Sequence, residues 1–183
     1  MARPFSPSDL SEYRFRGIHP LLLIGTMSDR YAGWLGQIYS RERWAGRITR
    51  REKKLGSRSY TEDVLPVESV REYFEHFPVL EIDITFYRPL IEPAGEPGPN
   101  FRVLQAYLRF LQPSDRLVLK VPRSVFARRL RSGAGYRPNP DYLDAKKFTK
   151  NFYEPAADLL GDHLAGMIFE QEYQRKTADA SSA

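Results

Sequence analysis

Four ionisable side chains, Glu81, Asp83, Lys120 and Glu170, carry the acid–base chemistry this sequence can offer. Glu81 and Asp83 lie in the stretch from Val79 to Pro89, where β-branched and aromatic residues alternate with polar ones at period two. Read as one strand, it turns Leu80, Ile82, Ile84 and Phe86 one way and Glu81, Asp83, Thr85 and Tyr87 the other. By the same rule Lys120 shares a face with Val118, and Glu170 with Ile168. If these faces coincide, a lysine stands among carboxylates, which lets buried charges be tolerated and perturbs all their pKa values. Glu81 or Glu170 then serves as acid or base, and Lys120 as a contact for an anionic group.

The elements that must position them alternate as βα units. Strands are predicted at 21–26, 79–87, 116–121 and 166–171, and helices at 66–76, 100–112 and from Asp144 to Leu160, the last kinked or divided by Pro155. In such an arrangement both faces of a strand are covered. The segment 41–62 reads as a weakly helical insertion, and 122–143 as a long polar loop. Active sites of parallel-sheet enzymes sit at the carboxyl ends of strands. This places Thr26, Ser28, Tyr87, Arg88, Arg123, Glu170 and Glu172 there, with Arg88 and Arg123 as further anion contacts. Tyr31 and Trp34 supply either an aromatic wall for a ligand or packing at the sheet rim. His19, His76 and His163 all precede strands, the wrong face for a zinc site or a Ser-His-Asp triad.

Composition narrows the field further. At 183 residues, 42% hydrophobic, the chain has material for one domain with a core. No apolar run approaches the roughly 18 to 20 residues of a membrane span, and the first residues lack the pattern of a signal peptide. Having no cysteine excludes disulfides, thiolate metal sites and a cysteine nucleophile. The expectation is a soluble, cytoplasmic protein. No Walker loop or dinucleotide fingerprint occurs, no cofactor is indicated, and no ligand spacing points to a metal. Residues 1–17 read as a polar lead-in and 177–183 as a disordered tail.

Formal charge is +5, unevenly placed. Residues 41–58 alone are net +6, and a second group, Arg123, Arg128, Arg129, Arg131 and Arg137, follows the third strand. Such clusters are solvated faces or binding surfaces for phosphate groups and nucleic acid.

Taken together, Gly25-Thr26, Tyr31, Trp34, Gly36 and Tyr39, then Glu81-Ile82-Asp83-Ile84-Thr85-Phe86-Tyr87-Arg88, then Leu119-Lys120-Val121-Pro122, resemble the YecE-like family, domain of unknown function 72. That family shows a strand ending G-T-S-G-W, a downstream Y-x-x-W-x-G-x-x-Y, a V-E-I-N-x-T-F-Y-R strand and a K-x-P strand end. Met27, Ser28 and Asp29 depart from the first motif, and Asp83 stands where asparagine is usual. The resemblance implies an α/β fold of TIM-type (β/α) barrel class, of uncharacterised activity. It also marks Glu81, Thr85, Tyr87, Arg88 and Lys120 as candidates. It covers 18–176 and matches only the first half of the family's barrel, an incomplete barrel of about four parallel strands with crossover helices. Three functions follow as alternatives. One is an enzyme binding a small anionic or phosphate-bearing ligand at the strand ends. Another is a nucleic-acid module using 41–58 and 123–137, with Tyr31 and Trp34 as stacking surfaces. The third is an inactive half barrel, truncated or self-associating, or completed by a missing C-terminal half.

Overall fold

The computed structural model describes residues 14–55, 58–133 and 135–170. The chain passes through β1 (Gly25–Met27), α1 (Arg41–Trp44), the pair β2 (Thr49–Leu55) and β3 (Arg58–Val64), α2 (Val70–His76), β4 (Val79–Ile82) and α3 (Pro99–Leu108). It continues through β5 (Arg116–Lys120), α4 (Arg123–Phe126), the pair β6 (Arg129–Ser132) and β7 (Gly135–Pro138), α5 (Ala145–Phe148), α6 (Glu154–Leu160) and β8 (Leu164–Ile168). Four strands form one parallel sheet in the order β1-β4-β5-β8, and β2–β3 and β6–β7 are separate antiparallel hairpins. The protein is therefore mixed α/β. Among the described residues the sheet does not close into a barrel: β1 pairs only with β4, and β8 only with β5.

Strands laid side by side in chain order, joined by right-handed crossovers, send their helices to one side. Leu80, Ile82, Leu117 and Leu119 accordingly bury on one sheet face, in a core shared with Val70 and Tyr73 of α2, Leu104 of α3, and Phe152, Ala156 and Leu160. The other face, with Met27, Glu81, Val118, Lys120 and Ile168, is partly exposed. The expectation that both faces of the strands are covered is corrected: among the described residues one face is buried and the other partly exposed.

Several element boundaries are corrected too. The strand read as 79–87 stops at Ile82, and Ile84–Phe86 is a 3-10 turn. The cause is tertiary. Thr85 is fully buried, with its hydroxyl within hydrogen-bond distance of the carbonyls of Ile82 (3.0 Å) and Lys120 (2.7 Å). Asn100, expected as a helix N-cap, instead lies inside α3, behind the Gly98 cap. Its amide donates to the carbonyls of Ile84 (3.1 Å) and Arg88 (2.9 Å), holding the turn. β1 starts at Gly25, not Leu21, and Leu21, Leu22 and Leu23 are exposed. The fourth sheet strand is Leu164–Ile168 rather than 166–171.

The insertion at 41–62 is a short helix followed by the β2–β3 hairpin, and the loop at 122–143 contains α4 and the β6–β7 hairpin. β2 and β3 carry charged residues on both faces, and β6 and β7 are only four residues long each, so no hydrophobic alternation betrays them. Asp144 caps α5 as expected, accepting from the Lys147 N–H at 3.0 Å. Pro155 divides the last helix: Thr149–Tyr153 winds as a π-helix before α6.

Of the lead-in, residues 14–17 are tied down. Phe15 stacks on Phe77 at 5.0 Å, and the Arg16 guanidinium donates to Asp115 Oδ1 (2.7 Å) and to the Phe77 carbonyl (3.0 Å). Residues 1–13, the tail 177–183 and Glu172 lie outside the described residues. Among the described residues, no helix is long and apolar enough to cross a membrane.

Candidate functional site

Immediately after β1 the chain makes a turn that a strand-and-helix reading does not anticipate. Ser28 adopts φ +64°, the left-handed region that side chains other than glycine seldom enter. Three hydrogen bonds hold the turn. Tyr73 Oη, on α2, accepts from the Thr26 N–H at 2.9 Å, Thr26 Oγ1 donates to the Ser28 carbonyl at 2.8 Å, and the Ser28 N–H donates to the Glu81 carbonyl at 3.0 Å. The next residue, Asp29, is thereby carried inside, where it is 3% exposed.

Tyr107 Oη on α3 donates to Asp29 Oδ1 at 2.7 Å, and Arg30 Nε is 4.0 Å from the same oxygen. Tyr39 Oη donates to the Asp29 main-chain carbonyl. Among the described residues, Asp29 Oδ2 has no hydrogen-bond partner. Burial disfavours the carboxylate more than Tyr107 and Arg30 favour it, and the pKa is pushed up from 3.8 to about 6. The same burial, reinforced by the Asp29 charge, pushes the Tyr39 and Tyr107 phenols up as well. A carboxyl that titrates near neutrality is suited to give and take protons.

Asp29 and Tyr107 line a cleft of about 520 Å³ at the carboxyl ends of β1 and β4. Its other tyrosines, Tyr31, Tyr60 and Tyr87, are exposed, Tyr87 the most at 77%. Arg51 of β2 and Tyr60 and Glu62 of β3 contribute from the hairpin. The hairpin's base is fastened to the turn: Tyr31 bridges to Val64, and the Leu65 N–H donates to the Arg30 carbonyl at 3.1 Å. Four carboxyl groups, from Asp29, Glu62, Glu81 and Asp83, thus share the lining with two arginines, Arg30 and Arg51.

Glu81 connects this cleft to the partly exposed sheet face. Lys120 Nζ stands 3.4 Å from Glu81 Oε1, 2.9 Å from Glu170 Oε2 and 3.3 Å from Met27 Sδ. Burial pushes the lysine pKa down, but the hydrogen bond and charge of Glu170 and the charge of Glu81 outweigh it, and the net shift is upward. Lys120 is therefore a fixed cation. The convergence of Glu81, Lys120 and Glu170 expected from strand alternation is present, although Glu170 lies just past β8 rather than within a strand. Asp83 is on the cleft, beyond the end of β4, and outside the lysine's ion pairs.

This chain matches none of the family patterns, characterised proteins or solved structures it was compared with. Its geometry alone locates the site. Ser28, Tyr31 and Tyr87 line the cleft, as do Glu81 and Asp83. Thr26 and Thr85 position backbone: one anchors the turn, the other fastens the end of β4 to β5. Trp34 packs edge-on to Tyr31 at 5.0 Å and stacks with Tyr39 at 6.3 Å, and it is not part of the cleft lining. Arg88 and Arg123 are likewise absent from that lining. Arg88 is exposed, and Arg123 opens α4. Asp29, Arg30, Arg51, Tyr60, Glu62 and Tyr107 were not singled out by sequence reasoning. Two left a trace there: Asp29 as part of the turn-forming Gly25-Thr26-Met27-Ser28-Asp29, and Arg51 as a member of the basic segment 41–58.

The lysine network is set in partial solvent, Glu170 being 50% exposed and Glu81 24%. Such pairs contribute up to about 1 kcal/mol. Lys120→Met should therefore lower stability by no more than about 1 kcal/mol, read as a small shift of the urea midpoint. A loss several times larger would show that the cluster is an essential core network instead.

Proposed function

We propose that this protein is an enzyme performing acid–base chemistry on a small polar molecule held in the cleft at the ends of β1 and β4. The observation that carries the reading is Asp29, a buried carboxyl with one unsatisfied oxygen, titrating at about 6 and lining a cleft. Glu81, ion-paired to Lys120, is a second carboxylate in a different environment. Two carboxyl groups whose surroundings separate their roles make an acid–base pair. Tyrosine rings offer flat apolar surfaces to the ligand's body.

The carboxylate excess of the lining favours a neutral, hydroxyl-rich or cationic ligand. Arg30 and Arg51 support a second reading, in which the ligand carries a phosphate or carboxylate between them. Membership of the YecE-like family and a TIM-type barrel belong to the same proposal, supported by a strand order that follows the first four strands of such a barrel. So does a cytoplasmic setting, consistent with a chain free of cysteine.

Backbone amide shifts of the labelled protein, titrated with glucose, glucosamine and glucose 6-phosphate, test this reading. Shifts should cluster at Ser28–Tyr31, Glu62 and Glu81–Tyr87, larger for glucosamine or glucose than for the phosphate, and they should vanish in Asp29→Asn. The reverse order of ligands would favour the arginine-bound anion. No shift at millimolar ligand, or shifts elsewhere, would sink the assignment of the cleft.

A further inference from the structure

The two basic segments have different fates in the fold: acidic neighbours offset most of the first, while among the described residues the β6–β7 hairpin of the second meets none. Around the first, acidic residues from outside the segment close on the arginines: Arg43 pairs with Glu72 at 2.6 Å, Arg47 with Glu68, and Arg50 with Asp63 at 2.9 Å and 3.2 Å. Arg51 is in register with Glu62 across the hairpin. Four acidic residues from outside the segment thus offset four of its six excess positive charges.

Among the described residues, the β6–β7 hairpin is not offset in this way. From Arg123 to Pro140 the sequence holds no aspartate or glutamate. Among the described residues none of Arg128, Arg129, Arg131 and Arg137 has a carboxylate partner. The nearest acid along the chain, Asp141, is engaged by Lys147. Antiparallel register sets Arg131 opposite Tyr136 and Arg129 opposite Pro138, so Arg129, Arg131 and Tyr136 share one face. Tyr136 is 57% exposed. At the hairpin's base, the Arg128 guanidinium lies 5.6 Å from the centre of the Tyr142 ring, which is 38% exposed. Exposed guanidinium groups thus stand among exposed aromatic rings on a projecting ribbon.

The geometry points to this ribbon as a docking surface for single-stranded nucleic acid, with phosphates on Arg129 and Arg131 of one face and on Arg128 at the hairpin's base, and unpaired bases stacked on Tyr136 and Tyr142. Arg137, opposite Leu130, lies on the other face. Charge complementarity alone would admit any polyanion. The rings distinguish among them: a stacked base uses the face of a tyrosine, whereas an acidic peptide gains nothing from it. A membrane surface calls for several apolar residues that can insert, and here Leu143 is the one exposed aliphatic side chain among phenols and guanidiniums. Arg129 and Arg131 stand about 6.8 Å apart along the strand, a spacing that one nucleotide step of an extended chain can follow. The ribbon also springs from the carboxyl end of β5, the same end of the sheet as the cleft. It uses neither the cleft nor Asp29, and it stands or falls apart from the acid–base reading.

Fluorescence anisotropy of labelled oligo(dT) and oligo(U) 20-mers with the full chain is the test. Affinity should fall with salt at a log–log slope of about −2, three phosphate contacts at ~0.7 each. The double variant Arg129→Gln/Arg131→Gln should weaken binding at least tenfold, and Tyr136→Ala about tenfold, with Tyr136→Phe restoring it. Arg50→Gln, on the compensated hairpin, should change little. Circular dichroism of each variant checks that the exposed substitutions leave the fold intact. No binding at 50 mM salt overturns the proposal. So does full affinity in the double variant, indifference to Tyr136→Ala, or equal affinity for polyglutamate or for phosphatidylserine vesicles.

Discussion

Asp29→Asn is expected to change the pH dependence of stability more than any other single substitution at the cleft. In the folded protein the carboxyl titrates at about 6 against 3.8 when unconstrained. The folded state therefore keeps a proton that the unfolded chain has released, and between these values the unfolded chain holds fewer protons. Stability must then fall as pH rises from about 4 to about 6, by on the order of 3 kcal/mol from this group. Asparagine cannot titrate. The difference in unfolding free energy between Asp29→Asn and the unchanged protein should accordingly move in the variant's favour by that amount between pH 4 and pH 7. Urea denaturation at a series of pH values reads this difference, and taking it between two proteins cancels the other carboxylates. The absolute gain at neutral pH will be smaller, since the amide nitrogen would replace an oxygen that has no partner and stay unsatisfied itself. A difference that does not change with pH would mean Asp29 is an ordinary carboxylate and would remove the main support for acid–base work in the cleft.

Gly25→Ala should be the most damaging conservative substitution in the sheet. A Cβ at Gly25 would lie 2.0 Å from the Val79 carbonyl oxygen and 2.7 Å from Val79 Cγ1. One obstacle is backbone, so no rotamer change relieves it, and β1 would have to leave β4. With it would go the bond from the Thr26 N–H to Tyr73 Oη, and with that the Ser28–Asp29 turn. A loss of at least about 3 kcal/mol is expected, together with exchange of the Thr26 amide at the rate of an open strand. Gly166 provides the control. It stands in β8, where an added Cβ meets nothing within 4 Å, and Gly166→Ala should shift stability by less than about 1 kcal/mol. Equal urea midpoints for the two alanine variants would refute the close approach of β1 and β4.

Much of the scaffold was legible in the chain. Leu80, Ile82, Leu117 and Leu119 alternate with polar neighbours at period two, and Val70, Tyr73, Phe74 and Phe77 recur at helical spacing. Both patterns report burial directly, which is why the sheet strands β4 and β5 and the helix α2 fall close to where they were expected. The meeting of Lys120 with Glu81 followed from the same alternation, because neighbouring parallel strands keep like faces together, whereas Glu170 reaches the lysine from beyond the end of β8.

The hairpins were not legible, since charged residues on both faces of β2 and β3 leave no periodic signal, and β6 and β7 are only four residues long each. Nor was the end of β4: a run that alternates through Tyr87 was cut at Ile82 because Thr85 and Asn100 offered its backbone better partners. The identities of the residues, the lack of cysteine and the alternation of apolar and polar side chains are properties of the sequence by itself, and they determined the α/β sheet and the lysine–carboxylate cluster. What only the tertiary structure decided is which charges remain uncompensated and which carboxyl titrates near neutrality. Those depend on neighbours far along the chain, Tyr107 seventy-eight residues from Asp29 and Glu72 twenty-nine from Arg43. Burial and Coulomb energies are set by distance in space, and a linear pattern does not record it.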